Sequence, residues 1–217
     1  MDMEQARYNM VEQQIRPWDV LDQEVLDLLF KVRREDFVPE AHQALAFVDM
    51  EIPLGHGQSM WPPRLEARVL QELALRPTDR VLEIGTGSGY FTALLATQAA
   101  AVVSVDIVLE FTASATRKLR AHGFENVTLH SGDGARDWPD EASFDVIVLT
   151  GSTPLLSEAF RRRLNVGGRL FAIVGEAPVM QAQLITCTAP DAARSVTLFE
   201  TCLAPLLNAP HPALFVF

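Results

Sequence analysis

The chain has 217 residues, is 48% hydrophobic and carries a formal net charge of −10, enough apolar content to bury one sizeable core, so 1–217 is read as a single domain. The acidic balance argues against a nucleic-acid backbone as partner, since phosphates call for a basic face. Met1-Asp2-Met3-Glu4-Gln5 lacks a basic start followed by an apolar stretch, and no apolar run approaches the roughly 20 residues that span a bilayer, so a cytoplasmic protein with no membrane partner is expected.

In chain order, Ala6, Met10, Val11 and Ile15 recur at helical spacing until Pro17 ends the run. Asp22 can cap a second helix with Val25, Leu28, Leu29 and Val32 on one face. Residues 40–63, dense in Gly and Pro, read as a long loop ahead of the core, the place for a substrate lid. A helix follows from Pro63 to about Leu75, beside which Arg64 and Arg68 lie one turn apart, with Arg68 placed to pair with Glu72 on the surface. From Val81 strands and helices alternate: strand 81–84, helix from Tyr90, strand 102–106, helix 109–122, strand 127–130, strand 144–149, helix 155–164, strand 169–174. That order predicts an α/β fold, a doubly wound, mostly parallel sheet covered on both faces. Segments 182–188 and 195–202 bracket the turn Ala189-Pro190-Asp191-Ala192 and predict an antiparallel hairpin completing the sheet. Cys187 and Cys202 are isolated and read as packed thiols. The five histidines have no ligand spacing, so no metal site is expected.

The chemistry sits where the strands stop. Glu83-Ile84-Gly85-Thr86-Gly87-Ser88-Gly89-Tyr90 joins strand to helix through a glycine turn. A dinucleotide fingerprint would need a third glycine where Tyr90 stands, which leaves a dehydrogenase the weakest reading. A carboxylate before the turn opposes a pyrophosphate and suits a ligand carrying an ammonium or sulfonium, as S-adenosylmethionine does. Asp106, followed by Ile107, is placed about 20 residues on, where an acidic side chain can take the ribose hydroxyls. Asp133, before Gly134, can accept from the adenine amino group, and Thr150 beside Gly151 marks a floor for the methionine half. The predicted donor site is thus Glu83 at the ammonium, Gly85, Thr86, Gly87 and Ser88 under the ligand, then Asp106, Ile107, Asp133, Gly134 and Thr150.

Met10-Val11-Glu12-Gln13-Gln14-Ile15, Arg34-Glu35-Asp36-Phe37-Val38-Pro39, Pro53-Leu54-Gly55-His56-Gly57-Gln58, the glycine turn, Gly132-Asp133-Gly134, Gly167-Gly168-Arg169-Leu170 and Ala204-Pro205-Leu206 together resemble the protein-L-isoaspartate O-methyltransferase family. The resemblance runs nearly from the start to about Leu206. It implies a seven-stranded sheet with an exchanged pair of last strands, S-adenosylmethionine as donor, isoaspartyl residues of damaged proteins as acceptors, and a monomer. It divides the chain into N-terminal helices and acceptor loop (1–77), donor-binding core (78–175), and hairpin with tail (176–217). Gln58, Ser59 and Trp61 then become the acceptor-side candidates. After the glutamine the family usually reads Thr-Ile-Ser-x-Pro, its serine serving the acceptor carboxylate. Here the same positions read Ser59-Met60-Trp61-Pro62-Pro63, with Trp61 at the serine. An indole donates one hydrogen bond and accepts none, so three readings stand: the family reaction, transfer to a different acceptor, or a silent donor-binding module. Gly151-Ser152-Thr153-Pro154 departs from the usual small apolar run, and Ala213–Phe217 reads as an edge strand or packed tail.

Overall fold

The computed structural model describes residues 2–139 and 143–212; the apolar segment 213–217 lies outside them. Helix α1 (Met3–Asn9) is capped by Asp2, loosens into a π-helical stretch over Met10–Ile15, and stops at the 3-10 turn Arg16–Trp18 that holds Pro17. Helix α2 (Gln23–Lys31) starts as expected on Asp22, whose carboxylate accepts the N–H groups of Glu24 and Val25 at 2.9 and 3.4 Å. Helix α3 (Pro63–Leu73) begins on a proline, whose missing N–H costs nothing in a first turn.

Strands β3 (Arg80–Ile84), β4 (Ala101–Asp106), β5 (Val127–Ser131), β6 (Phe144–Thr153) and β7 (Leu164–Glu176) are all parallel. Strands β8 (Val179–Ala189) and β9 (Ala192–Thr201) add the predicted antiparallel hairpin, giving the order β5-β4-β3-β6-β7-β8-β9. The last three strands therefore follow in chain order. Alternation along β3 sends Val81 and Glu83 toward helix α4 (Tyr90–Gln98), and Leu82 and Ile84 toward the opposite core with Phe160 of α6 (Glu158–Arg162). Nearly all of α4 is buried, between the sheet and α2. Helix α5 (Leu109–Ala121) adds Ala115 and Leu119 to the same core.

Three expectations change. The stretch 40–63 is not a plain loop: it holds a 3-10 helix, Glu40–Leu45, and a hairpin of β1 (Ile52–Gly55) and β2 (Gln58–Met60). Strands this short leave no period to read. The helix expected over 155–164 shrinks to α6, because β7 starts at Leu164 and accommodates Gly167-Gly168 as an irregularity against β6. Cys187 is buried as expected, but Cys202 is exposed, one residue past the sheet-edge strand β9; both thiols are free. Among the described residues no helix is long and apolar enough to cross a membrane.

Candidate active site

The carboxyl ends of β3, β4, β5 and β6 open onto one cavity with an empty volume of about 790 Å³, roofed by the β1–β2 hairpin. Gly85 lies in its wall. With φ at +105° it occupies backbone space that only glycine enters freely, and a Cβ there would lie 2.1 Å from Thr150 Oγ1. The Thr150 hydroxyl in turn reaches the carbonyl oxygens of Ile84 and Gly85 at 2.9 and 2.7 Å, which fixes the turn against β6. Leu206 packs against Gly151, where a Cβ would come within 2.8 Å of it, and seals the floor. That segment is laid along β6 by Ser152, whose N–H donates to Ala204 O at 3.0 Å and whose carbonyl accepts from Leu206 N at 2.9 Å.

Asp106 ends β4 as expected. Its two carboxylate oxygens accept the N–H groups of Gly87 at 2.8 Å and Val108 at 2.9 Å. Burial holds its carboxyl above the ordinary value, an effect these donors offset only in part. Each oxygen keeps a lone pair for a further donor. Asp133, beyond β5, accepts from Ala135 N and from Asn208 Nδ2, both at 3.0 Å. A Cβ on Gly134 would come within 2.9 Å of Ile84 Cδ1, so its bare backbone keeps this wall open. Thr86, Ser88 and Ile107 line the cavity with Gly85, Gly87 and Gly134.

Glu83 is the exception. It is fully buried and does not line the cavity. Because it alternates onto the α4 face, its Oε2 accepts from Thr92 Oγ1 at 2.5 Å and from Ser104 Oγ at 2.6 Å, and its Oε1 is sealed without a partner. Thr86 Oγ1 continues the chain to Ser104 at 2.6 Å. Desolvation pushes the Glu83 carboxyl up to about 8. The expected contact with the donor's ammonium is therefore not where this carboxylate points; Glu83 braces the turn from beneath.

On the opposite side Gln58, Ser59 and Trp61 all line the cavity. The turn of the roof, Gly55-His56-Gly57, has three consecutive positive φ angles and carries His56 edge-on to Phe111 of α5, with ring centroids 5.6 Å apart. Trp61 both packs and lines: only 6% exposed, its ring lies 5.3 Å from that of Phe91 and 6.2 Å from that of Phe171. Its backbone carbonyl accepts from Arg34 Nη2 at 2.7 Å. The same guanidinium donates from Nε to Ala46 O at 2.9 Å and from Nη1 to Glu66 Oε2.

Glu66 is a lining residue that sequence reading passes over. It sits in the first turn of α3, 2% exposed, its carboxyl pushed up to about 8 by burial against the opposing pull of Arg34. The available signal was an acid at helical spacing from Val69, Leu70 and Leu73, on the stripe that must be buried. Arg68, by contrast, pairs with Glu72 at 2.9 Å as expected, and Arg64 lies over the Trp18 ring at 4.3 Å. Among the described residues the cavity is lined by three acids, Glu66, Asp106 and Asp133, and by no Lys, Arg or His.

The family model for protein-L-isoaspartate(D-aspartate) O-methyltransferase matches residues 5–206. Protein-L-isoaspartate O-methyltransferase of Gloeobacter violaceus is 37% identical over 91% of this chain and 96% of its own. That of Roseiflexus castenholzii is also 37% identical, over 96% and 94%. Among solved structures, a Plasmodium falciparum chain described as a protein-L-isoaspartate O-methyltransferase, in complex with S-adenosyl-L-homocysteine, superposes with a TM-score of 0.79 at 20% identity over 91% of this chain and 96% of that one, a likeness of fold. The match spans the N-terminal helices, the roof, the glycine turn and the Leu206 floor alike, and the chain belongs to the protein-L-isoaspartate(D-aspartate) O-methyltransferase family.

Proposed function

We propose that this protein transfers a methyl group from S-adenosylmethionine to the free carboxylate of isoaspartyl residues in other proteins. The observation that carries the reading is convergence: the glycine turn, Asp106, Asp133 and the Gln58–Trp61 segment open onto one cavity in a chain that matches its family through all of them.

The bound donor supplies a methyl group on a positively charged sulfur. The chain does the placing. Gly85 and Gly87 bring bare backbone to the ligand, Asp106 accepts from the ribose, and Asp133 from the adenine amino group with Ile107 and Gly134 alongside. Thr86, Ser88 and Thr150 line the methionine half. An acceptor carboxylate is ionised at neutral pH and needs no base. What it needs is hydrogen-bond donors and exclusion of water. The Gln58 amide, the Ser59 hydroxyl and the Trp61 indole N–H are such donors, and the hairpin roof excludes solvent. Because a carboxylate only accepts, the indole's inability to accept is no handicap at the serine position. The family reading goes with a monomer in the cytoplasm.

The test is transfer of labelled methyl from S-adenosylmethionine to an isoaspartyl peptide beside its aspartyl twin. Selective labelling of the isoaspartyl form is expected. No labelling, in a preparation whose donor binding is established by calorimetry, would overturn the acceptor and leave a different acceptor or a silent donor-binding module.

A further inference from the structure

The cavity must receive a ligand with two positive groups, the sulfonium and the α-ammonium of the methionine moiety, in a largely desolvated place. A charge taken from water there is costly unless it meets a partner. Two of the three lining acids are already engaged near the adenosyl end: Asp106 holds two backbone N–H groups, and Asp133 holds Ala135 and Asn208. Glu83, the acid the sequence offers for the ammonium, is sealed beneath the turn.

Glu66 differs from all three. It is buried to 2% exposure yet lines the cavity on the side of Trp61 and Phe91. Its Oε2 is held by Arg34. Its Oε1 takes no hydrogen bond among the described residues and, unlike Glu83 Oε1, is open rather than sealed. Arg34 fixes its direction, since the other guanidinium nitrogens are spent on the carbonyls of Ala46 and Trp61. Glu66 also lies close enough to Glu83 for its charge, when ionised, to raise that group further, and among the described residues no cation lines the cavity beside it.

Resting on the donor reading above, we propose that Glu66 is a donor-recognition residue whose open Oε1 accepts a hydrogen bond from the α-ammonium of the methionine moiety, with Arg34 as its positioning residue. The site then selects adenosyl ligands that carry a free amino group, whatever the acceptor is.

The experiment is a calorimetric cycle on wild type and Glu66→Gln with three ligands: S-adenosylhomocysteine, its analogue with hydroxyl in place of the amino group, and 5′-methylthioadenosine, which has no amino-acid tail. Wild type is expected to lose roughly tenfold to a hundredfold in affinity from the first ligand to the second, the range of a hydrogen bond to a charged group. Glu66→Gln is expected to lose a similar factor for S-adenosylhomocysteine, to bind the first two ligands alike, and to match wild type on 5′-methylthioadenosine. Equal weakening of all three ligands in the variant would show a merely structural role and overturn the assignment. So would unchanged affinity for S-adenosylhomocysteine. If Glu66→Gln does not fold, wild type alone decides against the assignment by binding the hydroxyl analogue as tightly as the amino compound. Failure of wild type to bind any of the three would overturn the donor reading itself.

Discussion

At the scale of single residues, Trp61 shows how one side chain serves both core and site. Its indole is wedged against Phe91 and Phe171 while one edge faces the cavity. Trp61→Ala is expected to cost about 3–5 kcal/mol of stability by denaturant unfolding, as large buried aromatic truncations do. Trp61→Phe keeps the ring and drops only the N–H, so it should stay folded, hold donor affinity within a factor of about two, and slow transfer to the isoaspartyl peptide by roughly tenfold. An unchanged rate in Trp61→Phe would remove the indole N–H from the acceptor site. Asp106 and Asp133 were legible because parallel strands bring their carboxyl ends together whatever lies between them. Glu83 was not, because its direction depends on the two-residue alternation of β3 and on the pairing of Glu83 with Ser104 across the sheet. Glu66 was not, because its environment is made by an arginine from a distant segment.

At the scale of elements, Arg34 is a clasp. From a 3-10 turn after α2 it reaches the carbonyl of Ala46, the carbonyl of Trp61 at the foot of the hairpin roof, and the carboxylate of Glu66 on α3. Arg34→Met leaves Glu66 buried without its partner and is expected to cost about 3–5 kcal/mol. The double variant Arg34→Met, Glu66→Met removes both charges and should recover a good part of that loss, measured in the same denaturant series; no recovery would mean that the two carbonyl contacts, rather than the ion pair, hold the clasp. The core elements from β3 to β9 were readable from period and turn residues, with boundaries moved by a few positions. The roof hairpin was hidden because four- and three-residue strands around a turn of positive φ resemble loop in composition.

At the scale of the molecule, two carboxyls far above their ordinary range set the pH behaviour of the free protein. Glu66 and Glu83 each titrate at about 8 when folded, against an ordinary 4.5. The folded chain therefore holds protons the unfolded chain has already released between those values. Their contribution to stability is fully present below about 4.5, the ordinary value, and is lost as pH rises through about 8. The melting temperature of the ligand-free protein should accordingly fall from pH 5 to pH 8. Glu83→Gln, whose amide oxygen can still accept from Thr92 and Ser104, should flatten that fall; parallel profiles for the two proteins would show that Glu83 does not titrate in this window. The Gln58–Trp61 side of the cavity was the least legible part of the whole, since it joins the N-terminal clasp, the roof and α3 through contacts with no local signature.

The floor beneath Gly85 and Gly151 is completed by Leu206, held to β6 by the hydrogen bonds of Ser152. During synthesis the walls of the cavity leave the ribosome long before that floor does. A nascent chain can pair β3 with β4 and β6 and still offer no closed place for a nucleoside, so the ligand cannot template the early sheet. It can only reward, after release of the 203–207 segment, a molecule that has already found its topology.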